Sequence, residues 1–403
     1  MALTIPGALR GERPRDVVRR GTIIAAIAFL TLIDLFGAQA LLPGLVEAYD
    51  VDAGTMGVAV NASTIGMAAS GLAVAWFSNR IDRKKGLWIS LALLSIPTFL
   101  LGLTDDVTVF FWLRVLQGVF MAAAFTLTMT YLSEQCDVTA AAGAMAAYVT
   151  GNVASNLFGR LLTASSADLF GIPGAFWTMA ALNLLGALLA VVFVGSYSDV
   201  KAQGEPPLAA WKAHLAEPGL RAAFAIGFVL LFVFVGVFTY VNFELVGPLG
   251  IDPAALGVVY FVFLPAIFTT PLAGRTTRRF GAKPVFWAAS AVAGLGIGLM
   301  LLPSLIAVLA GMALVGAGTF FAQAAATGYV GRTATRNHAA ANGLYLTAYY
   351  LGGLAGAALL GEVYTAAGWP VTLAAIAAAL ALGCALATQM TEPSPAQPTG
   401  DSP

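Results

Sequence analysis

The sequence predicts an all-α membrane protein in which twelve transmembrane helices form two pseudo-symmetric six-helix bundles. Three observations lead there: the composition, the spacing of the apolar runs and the sorting of the charges. Of 403 residues, 59% are hydrophobic and 10% charged, with a mean hydropathy of +0.85, whereas about 25% of residues are charged in an ordinary soluble domain. Too little polar surface remains to cover a water-soluble core of this size, so lipid is the expected solvent. The 44 glycines fit, because small residues let membrane helices approach closely. A net charge of zero points to no nucleic acid or other polyanionic partner.

Runs of about 20 apolar residues cross a hydrocarbon core of about 30 Å. They fall at 22–42, 54–77, 87–104, 107–131, 140–163, 174–196, 222–243, 254–273, 285–302, 304–330, 339–361 and 370–389. These runs are apolar on every face, which excludes barrel strands of about 10 alternating residues. Ahead of the first run stand Arg10, Arg13, Arg15, Arg19 and Arg20, and no small-residue cleavage site follows it, so it is expected to stay as a membrane helix. Gaps of a few residues, between Thr104 and Val107 and around Pro303, make tight helical hairpins.

The charges alternate by loop. Eighteen of the lysines and arginines lie at the N-terminus or in the 78–86, 197–221, 274–284 and 331–338 segments. The intervening loops hold only acids: Glu47, Asp50 and Asp52, then Asp105 and Asp106, Asp168, Glu244 and Asp252, and Glu362. The positive-inside rule places both termini and the basic loops in the cytoplasm.

The chain also repeats itself. Ala75–Lys85 after the second helix matches Gly274–Pro284 after the eighth at an offset of 199, and Tyr148, Gly159 and Gly171 match Tyr345, Gly356 and Gly368 at 197. The expected plan is an N-terminal bundle at 1–197, a cytoplasmic linker at 198–220, a C-terminal bundle at 221–390 and a disordered tail at 391–403 rich in Pro, Ser and Thr. Repeats of this kind recur in secondary transporters, which bind substrate between the halves and rock one against the other.

Only Asp34, Arg114 and Arg160 put charge deep inside the apolar runs, and intramembrane charges are functional hypotheses by default. At 1.5 Å per residue, Asp34 lies roughly 18 Å in from the basic side and Arg114 roughly 10 Å in from the other, at similar depth. An Asp34–Arg114 pair is therefore expected. A nearby guanidinium favours the charged carboxylate and removal from water favours the neutral acid, so alternating exposure makes Asp34 a proton carrier; the alternative is a static ion pair that fixes packing. Asn152, Asn156 and Arg160 form a polar stripe at i, i+4, i+8 on the fifth helix. Arg160 either snorkels to the interface, faces a cavity and attracts an anion, or serves as a second partner for Asp34.

Other chemistries find little support in the residues. Cys136 and Cys384 have no partner at disulfide or metal-ligand spacing. His214 and His338 lie in cytoplasmic loops, and there is no zinc motif or phosphate-binding Gly-x-x-x-x-Gly-Lys loop. No enzyme, metal or cofactor is expected.

The loop basics resemble the loop between helices two and three of the major facilitator superfamily, Gly-x-Leu-Ala-Asp-Arg-x-Gly-Arg-Lys. Arg80, Arg83 and Lys84 fit, while Ala75 replaces the first glycine, Asn79 the aspartate and Asp82 the second glycine; Gly274, Arg278 and Gly281 mark the weaker copy after the eighth helix. The resemblance implies a gating loop in which the aspartate latches the cytoplasmic side, a role left here to a neutral Asn79 or to Asp82. Arg114-Val-Leu-Gln117-Gly118 is similar to the fourth-helix Arg-x-x-Gln-Gly of proton-coupled antiporters, whose arginine is implicated in proton transfer, and Asp34 to their first-helix aspartate. The fifth helix departs, reading Gly151-Asn-Val-Ala-Ser-Asn-Leu-Phe-Gly159-Arg160 without the antiporters' proline, and looks like the bacterial inner-membrane branch of drug and sugar efflux proteins.

On the family pattern helices 1, 4, 7 and 10 line the cavity. Gln39, Phe125, Thr126, Phe238, Tyr240, Asn242, Phe320, Phe321 and Gln323, with Tyr345 and Tyr349 from helix 11, then offer aromatic walls suited to a lipophilic or amphipathic solute; any one of these rings could instead simply pack between helices. The expected function is proton-coupled efflux of such a compound by a monomer, with substrate, protons and lipid as partners. Carriage of an organic anion or metabolite is the rival, because two buried arginines against one aspartate leave the interior at +1.

Overall fold

In the computed structural model, which describes residues 14–77, 81–135, 151–194, 207–252, 255–334 and 338–391, nearly every described residue is helical and no strand is present among them. Nine helical stretches are long and apolar enough to span a membrane among the described residues, and two of them are fused pairs. Gly151–Phe193 breaks at Gly171 (φ 71°, ψ 174°) and Ala340–Gln389 breaks at Gly368 (φ 76°, ψ −176°). That backbone conformation is open essentially to glycine alone, which explains why the repeat keeps glycine at both positions.

The remaining span, the eighth, is not the single helix that the 254–273 run suggests. It is assembled from Leu256–Val259, the 3-10 turn Tyr260–Phe263, Leu264–Thr269, the 3-10 turn Thr270–Leu272 and Ala273–Phe280. Pro265 and Pro271 stand at the starts of the third and fourth of these five segments, and each lacks the N–H that would continue the ladder. With it the count is twelve. Exposed Trp112, Leu169, Phe268 and Ile306 belong to the apolar outer surface that lipid would cover.

Two local departures set up the functional region. The second span is interrupted at Ala62, between Ala53–Asn61 and Ser63–Phe77, and the fifth widens into a π turn over Ser155–Gly159 immediately before Arg160. Such turns gather at functional positions in membrane and soluble helices alike.

Helices 2 and 4 touch backbone to backbone. A Cβ on Gly118 would lie 1.8 Å from the Ser63 carbonyl oxygen, and one on Gly66 would lie 1.9 Å from that of Val115. Helix 1 meets helix 5 in the same way at Gly151 and Ala25, and helix 7 meets helix 11 at Gly352 and Phe228, so the repeat extends to the tightest helix crossings.

The two halves close on each other at the end carrying the acidic loops. Gly54 of helix 2 faces Gly361 of helix 11, and the Tyr240 hydroxyl, donating to the Ala357 carbonyl, sits against Gly57. Of the expected linker, residues 207–216 form the helix Pro207–Ala216, whose Trp211 ring lies 5.6 Å from that of Trp76; residues 198–206 and the tail beyond Thr391 lie outside the described residues.

Gly118→Ala should lower the melting temperature of the detergent-solubilised protein, since overpacking a filled contact costs about 1–3 kcal/mol. Gly298→Ala, where nothing lies within 4 Å of the added methyl, should leave it unchanged.

Candidate functional site

The sequence-predicted residues separate into three groups in space. The first surrounds Asp34 and Arg114, both fully buried. The expected pair forms, but not as a carboxylate–guanidinium contact: Arg114 Nη1 donates to the main-chain carbonyl of Asp34 at 3.1 Å and to Gln117 Oε1 at 2.6 Å. Its Nε donates to the Val60 carbonyl at 2.8 Å and its Nη2 to Ser63 Oγ at 3.1 Å. The interruption of helix 2 leaves the Val60 carbonyl free to accept, and the glycine contact at Gly118 brings helix 4 close enough to reach it. Every guanidinium nitrogen of Arg114 is therefore bonded within the N-terminal half.

The Asp34 carboxylate is reached by neutral donors instead. Gln117 Nε2 donates to Oδ1 at 3.2 Å and to Thr98 Oγ1 at 2.7 Å, and the single Thr98 hydroxyl proton is shared between Asp34 Oδ1 at 3.1 Å and the Leu94 carbonyl at 2.8 Å. Asn183 Nδ2 donates to Thr98 Oγ1 at 3.2 Å. Oδ2 of Asp34 makes no hydrogen bond among the described residues.

The second group lies across the junction of the halves. Arg160 does not snorkel and does not reach Asp34; it is fully buried, and its Nη2 donates to Gln39 Oε1. Its Cζ stands 4.0 Å from the ring centre of Tyr260, 5.9 Å from those of Phe36 and Phe263 and 6.0 Å from that of Phe238. From Gln39 the hydrogen bonds cross to the C-terminal half. Gln39 Nε2 donates to Asn61 Oδ1 at 2.7 Å, Asn61 Nδ2 to Thr239 Oγ1 at 3.2 Å, Asn242 Nδ2 to the Gln39 carbonyl at 3.0 Å, and Tyr260 Oη to Asn242 Oδ1. Asn156, one turn before Arg160, is fully buried with no partner for either amide atom.

The third group lies toward the basic end. Tyr345 packs on Gly227 of helix 7, roughly 16 Å along that helix from Phe238, and stacks on Tyr349 at 6.2 Å. Asn152, Phe125, Gln323 and Tyr349 are only partly buried.

In the loop after helix 2, Asp82 is engaged within its own half. It caps the third helix, accepting from the Lys85 main-chain N–H at 2.7 Å. Its counterpart Gly281 adopts φ 84°, a left-handed conformation that favours glycine, so the two loop copies differ in geometry as well as charge. Arg83 is buried and donates to the Ile81 carbonyl at 2.9 Å, Lys84 is partly exposed and Gly274 exposed. Asn79, Arg80 and the Arg278 side chain lie outside the described residues.

Sequence reasoning missed Asn61, Thr98, Asn183, Thr239 and Tyr260 as site residues. Single neutral polar residues in an apolar run carry little signal, and helix 8 was not expected to line the site. Among the described residues no group of three or more His, Cys, Asp or Glu side chains could hold a metal ion.

Twelve spans in two repeated halves, with buried polar groups joining the halves, define a multi-pass membrane transporter rather than an enzyme. The family model of the Major Facilitator Superfamily matches residues 24–247 and 244–403, and the chain belongs to that superfamily. It is 27% identical over 94% of each chain to the inner membrane transport protein YnfM of Escherichia coli, and 26% identical to the uncharacterized MFS-type transporter YybF of Bacillus subtilis over 81% of this chain and 82% of that one. Among solved structures, a bacterial homologue of the human lysosomal transporter Spinster, inward-facing and occupied, has the same fold, with a TM-score of 0.69 at 16% identity over 94% of this chain and 95% of that one.

Asn242→Ala removes one of the hydrogen bonds that join the halves. Deuterium uptake in peptides covering 39–49 and 239–246 should rise in this variant, while peptides of the ninth helix should be unchanged.

Proposed function

We propose that the chain is a proton-coupled secondary transporter that exports a small lipophilic or amphipathic compound by alternating access, with Asp34 as the proton site. One observation carries the reading. Asp34 is fully buried, its Oδ1 is held by neutral donors, and its Oδ2 makes no geometrically good hydrogen bond among the described residues. A buried carboxylate needs its lone pairs met, and a proton on Oδ2 removes the charge without disturbing Gln117 or Thr98. Arg114, with all three of its nitrogens already bonded, holds helices 1, 2 and 4 in register while Asp34 changes state.

Two further features support this reading. Phe234, Phe238, Phe263 and Phe320 pack ring against ring between helices 7, 8 and 10, with centroids 4.6–6.0 Å apart, and would offer an apolar wall to a solute once the halves part. The basic loops, read by the positive-inside rule, support a cytoplasmic location of both termini, in a bacterial inner membrane like the one named for the Escherichia coli relative.

Asp34→Asn keeps the size and the acceptor for Gln117 but cannot carry a proton. In proteoliposomes under an imposed pH gradient, flux of a dye substrate should fall to the level of protein-free liposomes, with the variant still purifying as a folded species. Undiminished gradient-driven flux would remove Asp34 from the mechanism.

A further inference from the structure

We infer that Arg160 anchors the anionic group of the transported compound, so that the substrate is an amphipathic organic monoanion. This rests on the transporter reading above and adds to it the charge and the docking point of the substrate.

The two buried arginines differ in what they have left to give. All nitrogens of Arg114 donate to groups of its own half. Arg160 donates from Nη2 to Gln39 Oε1 and has the neutral Tyr260 hydroxyl as its other polar neighbour, while Nε and Nη1 make no geometrically good hydrogen bond among the described residues. No carboxylate is hydrogen-bonded to it among the described residues. A guanidinium removed from water without a counter-ion is costly, and the four surrounding aromatic rings recover part of that cost through their π faces. A bound monoanion would complete it: a carboxylate matches the planar N–H fork and brings the three intramembrane charges from +1 to zero.

The surroundings specify the rest of the ligand. Asn156 adds an unpartnered amide one turn away on the same helix, whereas the other neighbours of the guanidinium are rings, which calls for an apolar body behind the charge. The cage is also divided between the halves. Phe36 and Arg160 belong to the N-terminal half; Phe238, Tyr260 and Phe263 belong to the C-terminal half. Parting the halves at the acidic end therefore uncovers the guanidinium, and closing them covers it again.

The test uses the full chain in lipid nanodiscs, with benzoate, 1-naphthoate and octanoate as probes, each beside its primary amide, and calorimetric binding as the readout. At least one carboxylate should bind, its amide should bind about tenfold or more weakly, and Arg160→Gln should abolish that preference, the scale expected of one charge-assisted pair. The carboxylate-over-amide comparison on the unaltered protein needs no variant to fold. Equal binding of acid and amide, failure of every carboxylate to bind, or an unchanged preference in Arg160→Gln each overturns the proposal. Asp34→Asn separates the two readings: it should keep the carboxylate preference while losing gradient-driven flux. Gradient-driven dye flux without any carboxylate preference would leave the proton-coupling reading standing and remove the anion site.

Discussion

A single guanidinium holds three helices of the N-terminal half together. Arg114 on helix 4 donates to the Asp34 carbonyl on helix 1 and to the Val60 carbonyl and Ser63 hydroxyl on helix 2, and it also fixes Gln117, which in turn holds the Asp34 side chain. Lipid offers no water to satisfy these groups, so each must find its partner inside the protein. The break at Ala62 and the bare backbone at Gly118 follow from this constraint. One exposes the acceptor and the other lets helix 4 come within reach of it, which gives the spacing of Arg114, Gln117 and Gly118 a physical meaning.

The halves share a backbone plan but not a chemistry. Gly171 and Gly368 bend the chain identically, and Gly151 and Gly352 seat equivalent helix crossings. Yet Asp34, Arg114 and Arg160 all lie in the N-terminal half, while the C-terminal spans contribute rings and neutral donors. The charged residues buried within the spans are thus confined to one half, while the closure draws on both. The C-terminal half reports on the state of the first through Asn242, Thr239 and Tyr260, whose hydrogen bonds persist only while the two halves are together.

Much of this was legible in the sequence, and the limits have physical causes. Length and polarity of the apolar runs gave the spans, because crossing a hydrocarbon layer constrains every residue in a run at once. Depth counting brought Asp34 and Arg114 to the same level, but not the form of their contact, since rise per residue is blind to which atom of a residue is reached. Arg160 could be read as snorkelling because its sequence position is compatible with either end of its side chain's reach; packing against Tyr260 decides it. Asn61 and Thr239 lay beyond reading, as a neutral polar residue acquires a role only when a helix from the other half is opposite it. The eighth span's irregular turns had a signal in Pro265 and Pro271, which hydropathy alone does not weigh.

Helix 1 carries both Asp34, the proposed proton site, and Gln39, which takes part in the closure. Asp34 and Gln39 are five residues apart, about 7.5 Å along a straight helix, with Asp34 facing Gln117 and Thr98 and Gln39 facing Arg160 and Asn61. A helix closely packed on both faces moves as a unit, because a filled interior shifts between discrete arrangements rather than deforming smoothly. Loss of the Gln39 contacts when the halves part therefore acts on the same rigid element that carries the carboxylate, and a change in the Gln117–Asp34 contact acts in return on Gln39. For a monoanion leaving a cell whose interior is negative, the membrane potential contributes about 2.3 kcal/mol per 100 mV in the outward direction. The proton gradient and the potential would then drive the same rocking motion, one through Asp34 and the other through the charge held at Arg160.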